Sequence, residues 1–516
     1  MDKWTDYLDY LDRSTFSVKT LITDLSPQGT VSTPKRFVIN RLGYEVWPFQ
    51  RQILLDMGGA TLILGLPTGL GKTYLAGARL AELSQKRPIR VLFLVPSVPL
   101  GVQQVLFARQ RLGVEAFFVS GGISPERRRS LAVWNNSFVV ATPQTFYNDY
   151  LAQYGKELQK AKGEPDPESY LFTVIEDFPF DIVVADECQR YVGQTDGYSI
   201  LLAARACGVQ ILALSATPQL HAPQRLLELM KIFDRIKTFS IDAPGIREHM
   251  PERLLSIETI RPPTKLLGVY SALSELTSDY TMRIRKLYGP SHPLFCSRHQ
   301  LCRALLATRM LRNRVMEDGA SSVEQYGTLE FRDLCVKRRG LDGKSIHDLY
   351  LDALKEQRNH KLEAVIHVLS QETFNKAIVY VESVEAAKEL GLQLQARYGI
   401  DEAACLVGKG DMSMDQQASA LLQFREKAKT LTCTSVGEEG LDIPSADLEV
   451  WVDPPSNPRK WIQRFGRILR QPGDKKVAKT IALINAGTHE NARLMSVMRK
   501  VESIYRFTQR VEHRTR

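Results

Sequence analysis

A glycine-bearing turn followed by a helix is the first segment with recognisable chemistry. LPTGLGKTYLAG follows the apolar run TLILG. Gly69 and Gly71 would let the backbone approach a ligand, and N–H groups at a helix N-terminus bind phosphate. Lys72 could reach two phosphates of a nucleoside triphosphate, and the Thr73 hydroxyl could hold Mg²⁺. The segment is typical of a Walker A loop, except that Leu66 stands at the first glycine position. The predicted ATP contacts are Pro67, Thr68, Gly69, Leu70, Gly71, Lys72 and Thr73.

Two adjacent carboxylates end another apolar run, in DIVVADECQR. Asp186 could bind the Mg²⁺ shell, and Glu187 could orient and deprotonate the attacking water. Paired acids often belong to a solvated loop, but a strand end downstream of a phosphate loop is where hydrolysis needs them. We therefore predict an ATP-hydrolysing site in which Lys72, Asp186 and Glu187 are catalytic, with Thr73 and Asp186 as Mg²⁺ ligands.

These residues need strands and helices to position them, and both halves of the chain supply an alternating pattern. Strands that alternate with helices predict parallel sheets covered on both faces, and thus an α/β fold. Helical periodicity replaces the strand pattern between about 251 and 357, which predicts a helical insert. The runs in the first half are TLILG, VLFLV, FVVA, DIVVA and ILALS, and those in the second are AIVYV, TLTC, LEVWV and TIALI.

Composition limits the class of protein. With 44% hydrophobic and 24% charged residues and no apolar run of eighteen, the sequence is typical of a globular protein without a membrane span. The N-terminal segment lacks the features of a secretory signal, so we expect a cytoplasmic, nucleoid-associated protein. Seven scattered cysteines without a Cys-x-x-Cys pair argue against a disulfide framework or zinc ribbon. The net charge of +10 favours a polyanionic partner.

The order of the motifs resembles that of superfamily-two helicases over about residues 45–490. LPTGLGKT and TSVGEEGLDIP most resemble the Hef/FANCM branch of archaeal and eukaryotic fork-remodelling proteins. The resemblance implies two RecA-like domains that share one ATP site. It also implies an adenine contact from Gln50, and phosphate and ribose contacts from Gly440 and Asp442. From QRFGRILR it implies catalytic roles for Gln463, Arg467 and Arg470, the two arginines acting as fingers on the γ-phosphate.

The resemblance further implies sequence-independent contacts to a nucleic-acid backbone. SAT at 215–217 matches the segment that couples ATP state to strand grip, so Ser215, Ala216 and Thr217 are assigned to coupling. Gln189 joins them, but relatives mostly carry His or Asp there, which puts coupling of hydrolysis to strand separation in doubt. The predicted backbone contacts are Pro96, Ser97, Gly121, Gly122, Thr142, Pro143, Gln144, Ser383, Thr434 and Ser435.

A basic stretch without acidic residues runs from 283 to 314 in the predicted insert. Such segregation suits phosphate binding, although a solvated helical face is the alternative. Arg283, Arg303, Arg309 and Arg312 are the assigned contacts. The predicted domains are an N-terminal helical extension (1–40), RecA-like domain 1 (41–245), a nucleic-acid-gripping helical insert (246–357), RecA-like domain 2 (358–490) and a basic C-terminal helix (491–516).

Three functions remain open from sequence. The first is an ATP-dependent DNA helicase or translocase on branched or forked DNA, in repair or replication. The second is an RNA-duplex-directed ATPase of the RIG-I kind, although the insert there lies within the second domain. The third is an ATP-gated nucleic-acid clamp in a larger assembly such as a defence system. A nuclease is a conceivable protein partner, because no nuclease segment is recognised in the sequence.

Overall fold

Two parallel sheets form the framework of the chain. The computed structural model describes residues 24–58, 61–66, 69–216, 223–240, 242–243, 245–294, 299–318, 352–353, 359–408, 410–437, 443, 446–468, 477–505 and 509–515. Within these ranges each sheet has seven strands, and all strand pairs are parallel. The α/β class with two RecA-like sheets is therefore confirmed. No helix in the described part of the chain is long and apolar enough to cross a membrane.

The first sheet has the strand order β3-β4-β2-β5-β6-β1-β7. Its central strands are short and almost completely buried, because helices cover both faces. Its strands are β1 (Leu62–Gly65), β2 (Val91–Leu94), β3 (Ala116–Val119), β4 (Phe138–Ala141), β5 (Ile182–Ala185), β6 (Gln210–Ser215) and β7 (Arg235–Thr238).

Nine α-helices accompany this sheet in the described residues, together with a π-helix at Tyr147–Leu151. They are α1 (Pro48–Met57), α2 (Lys72–Lys86), α3 (Val98–Arg111), α4 (Pro125–Ser130), α5 (Pro143–Phe146), α6 (Gly155–Ala161), α7 (Pro167–Phe172), α8 (Asp196–Ala206) and α9 (Pro223–Met230). Two clusters of buried apolar side chains, one on each face of the sheet, form the core.

The second sheet has the order β10-β11-β9-β12-β13-β8-β14. Its strands are β8 (Glu252–Ile260), β9 (Ala377–Tyr380), β10 (Ala403–Leu406), β11 (Thr430–Cys433), β12 (Leu448–Trp451), β13 (Val477–Asn485) and β14 (Arg510–Thr515). The helices that follow β7 are α10 (Thr264–Tyr288), α11 (Gln300–Asp318), α12 (His360–Gln371), α13 (Val384–Tyr398), α14 (Met414–Glu426), α15 (Pro458–Ile468) and α16 (Glu490–Tyr505). Short 3-10 turns lie at Val133–Asn135, Ala152–Tyr154, Cys188–Arg190, Arg247–His249, Ile400–Glu402 and Ser435–Gly437.

Two predicted segments differ from the structure. Glu252–Ile260, assigned to the helical insert that starts at 246, forms β8 and pairs with β13 along nine residues. The segment assigned to a basic C-terminal helix forms α16 and then β14, which pairs with the other side of β8. Both strands pair with segments remote in sequence, and local helical periodicity nearby conceals their pattern. The second domain therefore begins before the insert and closes after it.

The insert and the N-terminal extension each contribute to packing. Long helices α10 and α11 pack together around Leu273, Ile284 and Leu305, which form a small core of their own. Residues 1–23 of the predicted N-terminal helical extension lie outside the described part. Over 24–40 the chain is mostly without regular structure, and Phe37 forms an antiparallel bridge with Ile89.

Candidate active site and nucleic-acid interface

The phosphate loop connects β1 to α2. Gly69 and Gly71 have φ angles of 91° and 76°, in the left-handed region that favours glycine. Helix α2 begins at Lys72, whose Nζ donates to the Leu66 carbonyl at 3.0 Å. Thr73, in the first turn, is half-buried, and its hydroxyl has no hydrogen-bond partner among the described residues. Backbone N–H groups, an ammonium and a hydroxyl thus converge at one helix N-terminus, the arrangement that binds a polyphosphate.

Gln50 supports this loop from α1. Its Oε1 accepts from the Trp47 backbone N–H at 3.1 Å, and its Nε2 donates to the Leu70 carbonyl at 3.1 Å. A side chain on Gly71 would collide with Gln50, since its Cβ would lie 2.7 Å from Nε2. The amide retains one hydrogen and one lone pair for a ligand. The predicted adenine contact of Gln50 stays a prediction, whereas its contact with the loop is a finding.

The acidic pair follows β5, which is two strands from β1 in the sheet. Asp186 is 6% exposed and accepts from Gln104 Nε2 at 3.2 Å and from the Glu187 N–H at 3.0 Å. Glu187 has a φ of 51°, unusual for a residue other than glycine. Such positions occur where function constrains the backbone. Burial, with the nearby carboxylates, raises the pKa of Tyr191 well above its usual value, so this phenol stays neutral beside the pair.

The Mg²⁺ assignment can be tested against these donors. Mg²⁺ prefers oxygen ligands, typically one or two protein oxygens together with substrate phosphates and water. The Thr73 hydroxyl and the Asp186 carboxylate lie at the same edge of one sheet, because β1 and β5 are parallel. The residues therefore fit a Mg²⁺–phosphate complex. Among the described residues, no group of three or more His, Cys, Asp or Glu could hold a metal alone.

A hydrogen-bonded chain joins the acidic pair to the SAT segment. Gln189, 4% exposed, donates through Nε2 to the Glu187 carboxylate and accepts at Oε1 from the Ser215 hydroxyl at 2.7 Å. Ser215 also accepts at its carbonyl from the N–H of Leu66, next to the phosphate loop. Ala216 packs in the apolar cluster of the second sheet. Gln189 therefore links the hydrolytic carboxylate to the segment that touches the second domain.

This geometry predicts that Gln189→Ala uncouples hydrolysis from strand displacement. The variant loses the hydrogen bonds to Glu187 and to Ser215, so a change at Glu187 can no longer be transmitted to Ser215. We expect base pairs opened per ATP to fall about fivefold or more, corresponding to a coupling free energy of about 1 kcal/mol. Parallel ATPase and strand-displacement assays measure this ratio, with exposed Gln153→Ala as the control. An unchanged ratio in folded protein would remove Gln189 from the coupling path.

The arginine-bearing helix α15 lies on the second sheet. Gln463 and Arg467 are each 5% exposed, within a run of eight consecutive buried residues, Trp461–Ile468. Arg464 has a different role. It donates to the Asp453 carbonyl at 2.6 Å and to Glu382 at 3.0 Å, and stacks over the Tyr380 ring at 4.9 Å. Arg464 therefore fixes α15 to the strand ends, which leaves Arg467 as the described finger candidate.

The predicted backbone contacts lie along the carboxyl edges of the sheets. Along the carboxyl edge of the first sheet, the predicted contacts follow four neighbouring strands. Gly121 and Gly122 follow β3, Thr142, Pro143 and Gln144 follow β4, and Pro96 and Ser97 follow β2. The acidic pair follows β5, the next strand. Strands are about 4.8 Å apart, so this row leads from an exposed glycine pair to the ATP site. The hydroxyl of Ser97 is buried without a hydrogen-bond partner among the described residues.

The second sheet gathers its own set. Thr434 and Ser435 follow β11, and Ser383 follows the neighbouring β9. The Ser383 hydroxyl accepts from the Ala386 N–H at 3.3 Å, capping α13, so part of its capacity serves the fold. Contact of these residues with a nucleic-acid strand remains a prediction. Four assigned residues lie outside the described part of the chain, as do two of the phosphate loop. The four are Thr217, Gly440, Asp442 and Arg470, and the two of the phosphate loop are Pro67 and Thr68.

In the insert, the basic residues divide by environment. Arg283 pairs with Asp279 at 3.1 Å, one turn before the acid-free stretch. Arg312 is half-buried over the Tyr270 ring at 5.7 Å, and burial lowers its pKa. Arg303 is exposed and Arg309 half-buried. The four assigned arginines are therefore not equivalent, and Arg303 is the most accessible to a phosphate.

Sequence reasoning missed several residues that build the site. Gln104 on α3 binds Asp186, and it was visible only as part of the strand-contact segment PSVPLGVQQ. Lys361 is fully buried and binds Asp453 at 3.0 Å and Glu490 at 3.2 Å. A lysine on an apolar helix face was the available signal for it. Asp453 also accepts from the Glu382 N–H at 3.0 Å, so this ion network holds the loop before α15.

Two family models match the chain. Residues 47–226 match the DEAD/DEAH box helicase model, and residues 360–471 match the helicase conserved C-terminal domain model. Both motif-bearing edges lie largely within these spans. The two matches lie on either side of the insert, whereas the two sheets divide between β7 and β8, before the insert.

Individual proteins give a consistent picture. The chain is 23% identical over 478 residues to a Methanocaldococcus jannaschii protein named as an ATP-dependent RNA helicase, covering 86% of this chain and 58% of that protein. It is 23% identical over 499 residues to the ATP-dependent DNA helicase MPH1 of Pyricularia oryzae, covering 83% and 42%. The chain thus spans about half the length of the curated relatives it matches. The helicase domain of Pyrococcus furiosus Hef has the same fold, with a TM-score of 0.56 and 23% identity over 87% of this chain and 98% of that chain.

Proposed function

Since the chain belongs to the superfamily-two helicases, which are nucleic-acid-dependent ATPases, we propose that it is a DNA helicase or translocase that acts on branched or forked DNA. The observation that carries the proposal is the hydrogen-bonded path from Glu187 through Gln189 to Ser215, which ends at Ala216 in the second domain's core. A plain ATPase does not need such a connection. A motor needs one, because ATP state must change the grip on a strand.

In this proposal the first domain binds ATP through the phosphate loop. Lys72 contacts the β- and γ-phosphates, while Thr73 and Asp186 hold Mg²⁺, which neutralises phosphate charge when bound. Glu187 orients the attacking water and accepts its proton. Arg467 and Arg470 reach the γ-phosphate from the second domain. ATP binding then closes the two domains, and hydrolysis releases them.

The bound nucleic-acid strand is proposed to cross the carboxyl edges of both sheets. Gly121 and Gly122, which are exposed, and Ser97, whose hydroxyl has no hydrogen-bond partner among the described residues, would contact it from the first domain, and Thr434 and Ser435 from the second. Contacts of this kind meet sugar and phosphate rather than base edges, so binding should not depend on sequence. The net charge of +10 supports a polyanionic substrate.

DNA is preferred over RNA because several similar proteins are named as DNA helicases. The position of the insert does not distinguish the two substrates, because the insert follows β8 and therefore lies within the second domain. The name of the Methanocaldococcus jannaschii protein, an ATP-dependent RNA helicase, supports the RNA-directed function instead. A role in repair or replication and a nuclease partner belong to the same proposal. The decisive experiment measures ATPase stimulation and strand displacement with forked DNA, single-stranded DNA and duplex RNA. Highest activity on forks supports the proposal, highest activity on duplex RNA overturns its DNA part, and stimulation without displacement identifies a clamp.

The insert is proposed to hold the duplex arm of a fork. We expect the triple variant Arg285→Gln, Lys286→Gln, Arg303→Gln to reduce the slope of log affinity against log salt by about 0.9 per lost phosphate contact. These side chains are exposed, so the change should spare the fold. Binding of fork, duplex and single strands across a salt series measures it, and single-strand affinity should fall least.

Arg312→Gln serves as the matched control for this prediction. Its guanidinium packs over Tyr270, so its loss should leave the salt slope near that of the unmodified protein. Equal losses on all three nucleic acids, or no loss on any, would make the basic stretch a solvated helical face.

A further inference from the structure

A cavity lies where the interdomain linker, residues 239–251 between β7 and β8, meets the second sheet. Its volume is about 420 Å³, within the range of about 300–1,000 Å³ typical of small-molecule sites. The linker contributes Arg247 and Met250, β8 contributes Arg253, and the chain entering β14 contributes Gln509 and Arg510. The cavity is therefore built from two segments that are more than 250 residues apart and that meet only in the folded protein.

Gln509 gives this cavity a directional polar wall. Both Nε2 and Oε1 of its amide are buried, and neither has a hydrogen-bond partner among the described residues. Buried polar atoms are nearly always paired, so an amide with both ends unmatched points to a missing partner. Because Nε2 donates and Oε1 accepts, the complementary group presents an acceptor beside a donor.

Three arginines and the Glu252 carboxylate line the cavity, and two of the arginines have acidic partners. Arg253 pairs with Asp242, and Arg510 pairs with Glu512 at 2.8 Å. Arg247 is exposed, and its guanidinium forms no ion pair or hydrogen bond with a described residue. Its guanidinium can therefore bind a phosphate or stack on a ring.

The linker wall is continuous with the ATP-binding domain. A Cβ on Gly245 would lie 3.6 Å from Cβ of Phe49, the neighbour of Gln50. Met250 packs against the apolar clusters of both domains. The cavity thus lies at the junction that joins the segment around Gln50 to the second sheet.

We propose that this cavity binds an adenine base, with the Gln509 amide pairing to its donor–acceptor edge and Arg247 contacting its ring or phosphate. A glutamine amide matches adenine N6 and N7 in bidentate fashion, whereas guanine offers two acceptors at that edge. The base belongs either to the ATP held by the phosphate loop or to a second adenine nucleotide. The first source rests on the proposed function, and it would make Gln509 a specificity-determining residue.

Two measurements on the full chain separate these sources. The ratio of kcat/KM for ATP to that for GTP is measured in the unmodified protein, in Gln509→Ala and in the control Gln159→Ala, an exposed glutamine on α6. Binding stoichiometry of ATP is measured in Glu187→Gln protein with and without Gln509→Ala. If the base belongs to the hydrolysed ATP, Gln509→Ala lowers the ratio by about 5- to 150-fold with one ATP bound. If it belongs to a second nucleotide, the ratio is unchanged and stoichiometry falls from two to one.

An unchanged ratio with one ATP bound in both proteins would overturn the inference. Thermal unfolding of Gln509→Ala verifies the fold, and Gln509→Glu provides a second variant that retains size but loses the donor. DNA stimulation of ATPase is recorded in the same preparations. Normal stimulation with an unchanged ratio would reject only the adenine cavity, whereas absent stimulation in the unmodified protein would reject the proposed function itself.

Discussion

Glu187→Gln is expected to bind ATP with near-normal affinity and to lose about 10²–10⁴ in turnover, the contribution typical of a positioned general base. The carboxylate stands at the end of β5 in a left-handed backbone conformation, directly after Asp186. Glutamine retains the size of the side chain but cannot accept a proton at neutral pH. Single-turnover hydrolysis and nucleotide-binding titrations separate the two effects.

Lys72→Ala provides the contrast. Its ammonium belongs to the phosphate loop rather than to the acidic pair, so its loss should weaken ATP binding itself. Glu126→Gln on the exposed helix α4 controls for a change of net charge. Turnover in Glu187→Gln equal to that of the unmodified protein would show that another group activates the water.

The hydrolytic motifs could be predicted from sequence because each follows a short, fully buried strand. β1, β2, β4 and β5 are apolar runs of four residues, and the polar residues after them mark where each strand ends. Parallel strands bring these ends to one edge, so linear order was sufficient to assemble the site. The resemblance to helicases is likewise confirmed by the two family matches, and the Hef helicase domain shares the fold.

The second sheet was harder to predict because its outer strands pair over long distances. β8 is buried at four consecutive positions, Leu255 to Glu258, but it pairs with β13 and β14, which follow more than two hundred residues later. β14, RVEHRT, has almost no apolar pattern, as expected for a strand at a sheet edge. Only tertiary pairing identifies such segments, and the same pairing creates the cavity wall formed by Gln509.

The hydrogen-bond networks between side chains could also not be predicted from the sequence. Nothing in the spacing of Gln189 indicated that one amide joins Glu187 to Ser215, since the three come from two strand ends that are neighbours only in the sheet. The sequence raised doubt about coupling because Gln replaces His or Asp. The structure gives Gln189 both a donor and an acceptor contact, so an amide at this position can carry the link.

Arg467→Ala is expected to lower kcat by about 10³ or more while changing ATP affinity little, the range found for arginine fingers being about 10³–10⁵. Arg467 lies near the C-terminal end of α15, almost four hundred residues from Lys72, and would meet the γ-phosphate only when the domains close. A guanidinium that acts in the transition state lowers the barrier without strengthening ground-state binding.

Because Arg467 is buried, a loss of stability must be distinguished from a loss of chemistry. Arg464→Ala is the matched comparison, since that side chain binds Glu382 and the Asp453 carbonyl and should mainly destabilise the second domain. We expect Arg467→Ala to retain a cooperative thermal transition and normal ATP binding with greatly reduced turnover, and Arg464→Ala to shift the transition downward. Turnover of folded Arg467→Ala within twofold of the unmodified protein would mean that the second domain completes the site through another residue, and Arg470→Ala would then be the variant to measure.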